Sequence, residues 1–118
     1  MKQIYKILSL KSLILSIFIL FMGTSIYAET TFEKIKRTGK VTVGTEAAFP
    51  PFEFVKDGKI VGYGKDILDY IIADLGVELN QLDLPWQGIL PGVLAGKFDF
   101  VATSVSIRAE RAKKYAFT

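Results

Sequence analysis

The 118-residue chain contains no cysteine and no histidine. Without cysteine, neither a disulfide nor a lipid anchor attached to a cysteine can form within these residues. Without histidine, His-based metal sites are excluded, and so are the Ser–His and Cys–His pairs that activate a nucleophile. Any acid–base chemistry would therefore fall to carboxylates.

The excess of positive charge lies in the first 28 residues. The chain has 15 basic and 12 acidic residues, and three of the lysines, Lys2, Lys6 and Lys11, lie in this acid-free segment. The remaining residues carry equal numbers of the two signs. They contain no basic patch interleaved with aromatic residues, so the sequence gives no support for nucleic-acid binding.

Long hydrophobic runs are also scarce. The longest, residues 13–22, follows the three lysines and precedes the polar break at 23–25. At about ten residues it is short for a membrane span and typical of the apolar region of a signal peptide. We therefore predict a secretory signal peptide over residues 1–28, cleaved after Ala28, with a retained N-terminal anchor as the alternative.

Residues 29–118 are enough for one small core, and strand-like and helix-like patterns alternate along them. A lead-in helix is predicted within 29–40, with Thr31 as its possible cap and Gly39 at its end. The other predicted elements are strands at 40–44, 77–84 and 98–102, helices at 66–75 and 87–94, and a hairpin of 52–55 with 59–62. Two prolines predict a loop over 45–51. The alternation indicates an α/β fold with a mainly parallel sheet and helices on both faces.

Three loops are expected to gather at the carboxyl edge of this sheet, which is the usual ligand edge. In the first two, Phe49 and Trp86 offer flat walls for an apolar side chain or a cation, and Glu46 can accept from an ammonium group. Plain core packing is the alternative for the two aromatics. A solvated loop acid is the alternative for Glu46.

The third loop joins small hydroxyl residues to an arginine. An apolar strand opens into Thr103, Ser104 and Ser106, and a helix is expected to begin over 109–114. Free N–H groups at the start of a helix attract anions, and the planar fork of Arg111 matches a carboxylate. The pattern therefore predicts a carboxylate site held by Ser106 and Arg111. A solvated helix residue is the alternative for Arg111.

Four sequence blocks, in this order, resemble the bacterial extracellular solute-binding proteins of family 3, the amino-acid-binding receptors of ABC importers. The blocks are GTEAAFPPFEF, VGYGKDILDYIIADLG, PWQGILPGVLAGKFDF, and DFVATSVSIRAER with the following AKKYAFT. Two positions depart from the family pattern. Gly64 replaces an aspartate, and Arg108 replaces a threonine that caps the helix, which leaves Ser106 as a candidate cap.

The resemblance implies an α/β fold of type II, periplasmic-binding-protein-like, in which residues 29–118 form an incomplete first lobe and the second lobe is absent. It implies a periplasmic receptor, not an enzyme, that binds a polar amino acid or similar small zwitterion without a cofactor and works with an ABC importer permease in the inner membrane. The ligand contacts carried over by position are Glu46, Phe49, Trp86, Ser104, Ser106 and Arg111. A single lobe is expected to bind no amino acid tightly, because its ligand stays exposed to water.

Two alternatives stay open on the same scaffold. One is a dehydratase or transglycosylase relative, in which carboxylates such as Glu46 or Asp83 would carry the acid–base work. The other is the ligand-binding sensor domain of a receptor kinase, which would require a transmembrane segment downstream.

Overall fold

The computed structural model describes residues 27–118, so the predicted signal peptide lies outside the described residues except for its last two. The helices are α1 (Thr31–Thr38), α2 (Tyr63–Leu75), α3 (Trp86–Leu94) and α4 (Ala109–Ala112). The strands are β1 (Lys40–Thr45), β2 (Ala48–Phe49), β3 (Glu53–Lys56), β4 (Lys59–Val61), β5 (Glu78–Asp83) and β6 (Phe100–Val101). No helix within 27–118 combines the length and the apolar character that a membrane crossing needs.

A parallel three-stranded sheet forms the centre of the fold, with the order β5–β1–β6. All six residues of β1 pair with β5, from Lys40 opposite Glu78 to Thr45 opposite Asp83. The β-branched alternation of KVTVG explains why these residues form a strand, and β1 lies between the other two. This architecture confirms the predicted α/β class with a parallel sheet.

Helices pack on both faces of this sheet, as predicted. On one face, Val41 and Val43 of β1 are fully buried, in a cluster completed by Ile35 of α1 and by Leu68 and Ile72 of α2. Successive strand residues point to opposite faces, so the neighbours of these valines face the other side, where α3 packs.

The packing of α3 depends on two glycines. The ring of Phe98 lies between Gly44 of β1 and Gly92 of α3, and a Cβ atom at either position would lie 2.6 Å from a ring carbon. Real side chains do not approach so closely, so these positions accept no side chain unless the ring moves. The close approach buries Phe98 and Ile89 beneath α3.

The hairpin forms a second, antiparallel sheet in the order β2–β3–β4. Its turn is the predicted one, with Asp57 and Gly58 both at positive φ, 51° and 73°, as tight hairpin turns require. The prediction of a strand-free loop over 45–51 is wrong, because Ala48 and Phe49 pair with β3 before the prolines interrupt the ladder. The aromatic loop is therefore anchored to the hairpin.

The N-cap of the lead-in helix α1 lies one residue earlier than predicted. The hydroxyl of Thr30, not Thr31, accepts from the N–H of Glu33 at 3.2 Å, and the Glu33 carboxylate accepts from the N–H of Thr30 at 2.8 Å. This reciprocal arrangement is a capping box. The helix ends before Gly39, as predicted.

Helix α2 begins at Tyr63, three residues before the predicted start, and its apolar stripe is only partly buried. Leu68 and Ile72 face the core, whereas Ile67 and Ile71 remain 43% and 45% exposed. The stripe is wider than the surface that the described residues offer to cover it.

The third main strand is shorter than predicted, since only Phe100 and Val101 pair as β6 rather than 98–102. Phe98 turns into the core instead. The helix expected over 109–114 is a single turn, and its N-cap, Arg108, makes no side-chain capping bond. The suggested cap by Ser106 is therefore also wrong.

Candidate functional site

An open cleft of about 490 Å³ lies where the three parallel strands end. The register places Thr45 opposite Asp83 and Gly44 opposite Val101, so the loops after β1, β5 and β6 leave the sheet at one edge. The lining residues are Glu46, Phe49, Trp86, Gln87, Thr103, Ser104, Ser106, Arg108 and Arg111. The structure thus brings together all six residues predicted from the sequence and adds three others.

The loop that carries Glu46 is tied to the end of β5. The backbone N–H of Ala47 donates to the Asp83 carboxylate at 2.9 Å, and the N–H of Leu84 donates to the carbonyl of Thr45 at 2.8 Å. These bonds fix the first loop against the second. Asp83 serves here as an acceptor for the backbone and does not line the cleft.

Phe49 forms one wall of the cleft and is supported from behind. Its ring stacks on Phe52 with centroids 5.5 Å apart, and Phe52 meets the ring of Tyr63 edge-on at 6.4 Å. Half of the surface of Phe49 stays exposed. An exposed aromatic ring that stacks on a second, itself packed against a third, offers an apolar surface to a small molecule.

The other aromatic wall, Trp86, is paired with the guanidinium of Arg111. Trp86 is the first residue of α3, and the Arg111 Cζ atom lies 5.3 Å from its ring centroid, within the range of a cation–π attraction. Arg111 Nη1 also donates to the carbonyl of Ser106 at 3.0 Å. The ring and the carbonyl together orient the guanidinium at the cleft.

Most of the donor capacity of Arg111 is left for a ligand. A guanidinium carries five N–H groups, and the hydrogen bond to Ser106 is the only one its side chain makes within residues 27–118. The guanidinium can therefore bind a carboxylate by donating two parallel hydrogen bonds to it. The dipole contribution expected from a following helix is small, since α4 has one turn.

Arg108 was not among the predicted ligand contacts, yet it lines the cleft. Its side chain is exposed and makes no hydrogen bond or ion pair with any residue of 27–118. With Arg111 it places two positive charges in the lining against the single carboxylate of Glu46. The cleft lining therefore presents a net positive surface to a ligand.

Glu53 is the functional residue that sequence reasoning missed most clearly. It lies on β3 between two phenylalanines, where simple alternation of polar and apolar residues turns the carboxylate outward and the rings inward. The structure differs, since Glu53 is 3% exposed whereas Phe52 is 38% exposed. Its carboxylate accepts from Thr103 and Ser104 in the third loop. The sequence feature that could have indicated its burial is an acidic residue between two apolar residues of a hairpin.

No group of three acidic side chains in the described part of the chain is placed to hold a metal ion. The cleft instead combines a guanidinium fork, hydroxyl groups, a single carboxylate and two aromatic walls. These are the groups that a small zwitterion with a carboxylate would meet.

The chain is similar to known proteins in both sequence and fold. The model of a family described as bacterial extracellular solute-binding proteins, family 3, matches residues 41–118. The L-cystine-binding protein TcyJ of Escherichia coli (strain K12) is 35% identical over 91 residues, which are 76% of this chain and 34% of TcyJ. The chain thus spans about a third of the length of this curated relative.

Two solved structures share the fold. The arginine-bound form of domain 1 from the T. maritima protein TmArgBP matches with a TM-score of 0.65 and 42% identity, covering 68% of this chain and 64% of that domain. An ancestral amino acid-binding protein, AncCDT-1, described as a precursor of cyclohexadienyl dehydratase, matches with a TM-score of 0.67 and 36% identity, covering 73% and 39%. The described residues therefore have the fold of a single lobe of a type II periplasmic-binding protein.

Proposed function

Because the chain belongs to the bacterial extracellular solute-binding proteins of family 3, we propose that its cleft binds an amino acid for uptake by an ABC importer. The observation that carries the proposal is the placement of Arg111. Its guanidinium is oriented by Trp86 and by the carbonyl of Ser106 and keeps donors available for a carboxylate. That arrangement lies beside an exposed aromatic wall, Phe49, in one cleft.

Each lining group takes a role that its chemistry suits. Arg111 and Ser106 would hold the α-carboxylate, and Ser104 would line the same end of the ligand. Phe49 and Trp86 would contact the side chain, and Glu46 would accept from an ammonium group. A ligand of this kind is a polar amino acid or a similar small zwitterion.

The remaining parts of the proposal concern the whole protein. We place it in the periplasm, exported by the leader over residues 1–28 and acting with an importer permease in the inner membrane. The family membership supports this location, and the lysine-flanked apolar run supports the leader. The mass of the exported protein tests the leader: it should correspond to a chain that starts at Glu29, and a periplasmic form that retains Met1 would contradict cleavage.

Binding by one lobe is a separate part of the proposal. Domain 1 from TmArgBP has been solved in an arginine-bound form, so a single domain of that relative holds a ligand in a crystal. For this chain we expect binding that is measurable but weak, because the cleft is open and leaves part of the ligand in water. Direct titration at millimolar ligand concentrations is therefore the appropriate measurement.

A dehydratase activity is the second candidate, since AncCDT-1 is described as a precursor of such an enzyme. Glu46 is the single carboxylate among the residues that line the cleft. Asp83 and Glu53 both accept from backbone N–H groups instead. A cleft with a single lining carboxylate favours a binding function rather than acid–base catalysis. We therefore assign no catalytic residue.

Substitution of Arg111 tests the proposed function. The chain would be titrated calorimetrically with L-arginine, L-histidine, L-cystine and L-glutamate. Arg111→Ala removes the fork and should weaken binding about 10- to 100-fold, since a hydrogen bond to a charged group contributes about 1.5–3 kcal/mol. Arg111→Lys keeps the charge without the two-pronged geometry and should also weaken binding.

Lys114→Ala is the matched control, because it removes one nearby positive charge that does not line the cleft. It should bind like the parent. If the Arg111→Ala variant binds these amino acids as well as the parent does, the assignment of Arg111 is wrong. If the folded parent binds none of the four, the proposed ligand class is wrong.

A further inference from the structure

Glu53 is a buried acid with an unusual set of partners. One carboxylate oxygen accepts from the hydroxyl of Thr103 and from the backbone N–H of Ser104, the latter at 2.7 Å. The other lies 3.5 Å from the Ser104 hydroxyl. None of the described ion pairs includes Glu53. Three uncharged donors, and no cation, therefore satisfy a carboxylate that is 3% exposed.

This arrangement connects two sheets at the cleft. Glu53 belongs to the antiparallel hairpin sheet, and Thr103 follows β6 of the parallel sheet, fifty residues later in the chain. A buried carboxylate is costly unless it is hydrogen-bonded, so the carboxylate and the loop hold each other in place. The hairpin thereby fixes where the third loop begins.

The order of contacts leads from Glu53 to the proposed carboxylate site. Glu53 holds the backbone at Ser104, and two residues later the carbonyl of Ser106 accepts from Arg111. A shift of Ser104 would move this carbonyl, and the guanidinium would lose its orientation. Small displacements of binding groups weaken binding strongly when the site depends on two-pronged geometry.

We propose that Glu53 is a positioning residue that pre-orders the third loop of the cleft, so that Ser106 and Arg111 are already arranged when an amino acid binds. The inference rests on the proposed function for its effect on affinity. Its effect on the loop itself does not depend on which ligand binds. It also assigns the N–H of Ser104 to Glu53, so that this group is not a donor to the ligand.

The test compares Glu53→Gln with a matched control, Glu78→Gln. Glutamine keeps the size of the side chain but removes its charge, so the hydrogen bonds from Thr103 and from the Ser104 N–H lose their charge assistance. Its NH₂ group would replace the carboxylate oxygen that lies near the Ser104 hydroxyl. Glu78 lies at a distance on β5 in an exposed pair with Lys40, so its amide variant makes the same chemical change away from the cleft. Glu53→Asp, which keeps the charge on a shorter side chain, is a second variant.

Three measurements separate positioning from a general loss of stability. Hydrogen exchange should show the Ser104 amide exchanging at least tenfold faster in Glu53→Gln than in the parent. Titration with L-arginine, L-histidine and L-glutamate should show about tenfold or greater loss of affinity in the folded variant. Circular dichroism and urea unfolding establish how much of each sample is folded.

The results distinguish this proposal from the proposed function. If the parent binds none of the amino acids, the function fails, and the Ser104 exchange rate still decides whether Glu53 orders the loop. If Ser104 exchanges as slowly in both folded Glu53 variants as in the parent, the ordering role is overturned. If exchange accelerates but affinity stays within twofold of the parent, Glu53 is merely structural and the positioning role is overturned.

Discussion

At the scale of single residues, the cleft owes its charge to one departure from the family pattern. Arg108 stands where the resemblance predicts a threonine, and its exposed guanidinium lines the cleft without an ion pair in the described part of the chain. Arg111 is already oriented by Ser106 and Trp86. Arg108 is therefore free to respond to the charge of a ligand side chain.

We predict that Arg108→Thr changes selectivity more than overall affinity. Two unit charges about 4 Å apart interact by about 1 kcal/mol in water, which corresponds to about fivefold in affinity. The variant should bind L-arginine more tightly and L-glutamate more weakly, each by up to about that factor. Calorimetric titration with both amino acids, at low and at high salt, measures the change.

Salt supplies the internal check for Arg108. The Debye length is about 10 Å at 0.1 M and about 3 Å at 1 M salt, so the difference between the two amino acids should shrink at high salt. Lys114→Thr is the control and should leave selectivity unchanged. A parallel change of affinity for both amino acids would show that Arg108 acts through the shape of the cleft, contrary to the prediction.

Most of the residues that line the cleft could be predicted from the sequence, whereas Glu53, which holds the third loop of the cleft, could not. Arg111, Trp86 and Phe49 were identified because their residue types occur in separate loops at one expected sheet edge. Glu53 was not, because burial of a carboxylate depends on partners fifty residues away. Local alternation carries no information about such a distant contact.

At the scale of elements, Asp99 joins three parts of the fold. Its carboxylate accepts from the ammonium of Lys34 on α1 at 2.7 Å and from the backbone N–H of Thr42 on β1 at 2.8 Å, just ahead of β6. The side chain of Asp99 is only 5% exposed. Burial raises the pKa of Asp99, but Lys34 and the Thr42 N–H lower it by more, so the pKa lies below its usual value of 3.8.

We predict that Asp99 makes stability depend on pH in the acid range. A carboxyl group whose pKa is lower in the folded state stabilises it above the unfolded pKa, and that contribution is lost as pH falls through the folded pKa. Asp99→Asn should lower the free energy of unfolding at pH 7, by about 1.5–3 kcal/mol for a hydrogen bond to a charged group. The parent and the variant should begin to converge as pH falls below about 4, and the difference should close as pH falls through the lowered pKa of folded Asp99.

Urea unfolding at pH 7, 5, 4 and 3 measures this difference. Asp69→Asn is the matched control, because Asp69 pairs with Lys65 at the surface of α2 and is more than half exposed. Exposed pairs contribute little, so this variant should differ from the parent by less than about 1 kcal/mol at every pH. An equal gap between the parent and Asp99→Asn at pH 3 and pH 7 would contradict the assignment.

Elements with a local signal were predicted, and elements defined by distant partners were not. The hairpin turn at Asp57-Gly58 and the end of α1 at Gly39 depend on backbone conformations that few residues adopt, so the residue type predicts them. The two-residue strand β2 depends on pairing with β3. The shortening of β6 depends on the burial of Phe98 between two glycines.

At the scale of the whole molecule, the core is small and part of the apolar surface is uncovered. Within residues 27–118, eight hydrophobic residues are buried. The exposed face of α2 carries Ile67, Tyr70 and Ile71, and β5 and β6 form the edges of the parallel sheet. We expect a free energy of unfolding of only a few kcal/mol.

The last prediction concerns this exposed face. Uncovered apolar surface and open sheet edges favour association, so the chain should self-associate as its concentration rises. The double variant Ile67→Glu with Ile71→Lys places an opposite-charge pair one turn apart on α2, which supports the helix by about 0.2–0.5 kcal/mol. It should reduce association, as measured by sedimentation velocity, and should leave the urea midpoint close to that of the parent.

Leu68→Ala is the contrasting variant on the same helix. Leu68 is buried in the core cluster, so its truncation should cost about 2–5 kcal/mol of stability. For a core this small, that loss is comparable to the whole free energy of unfolding. If the double variant on the exposed face loses as much stability as Leu68→Ala, then Ile67 and Ile71 pack against apolar partners in the folded state. If it stays as associated as the parent, the open sheet edges and not α2 drive self-association.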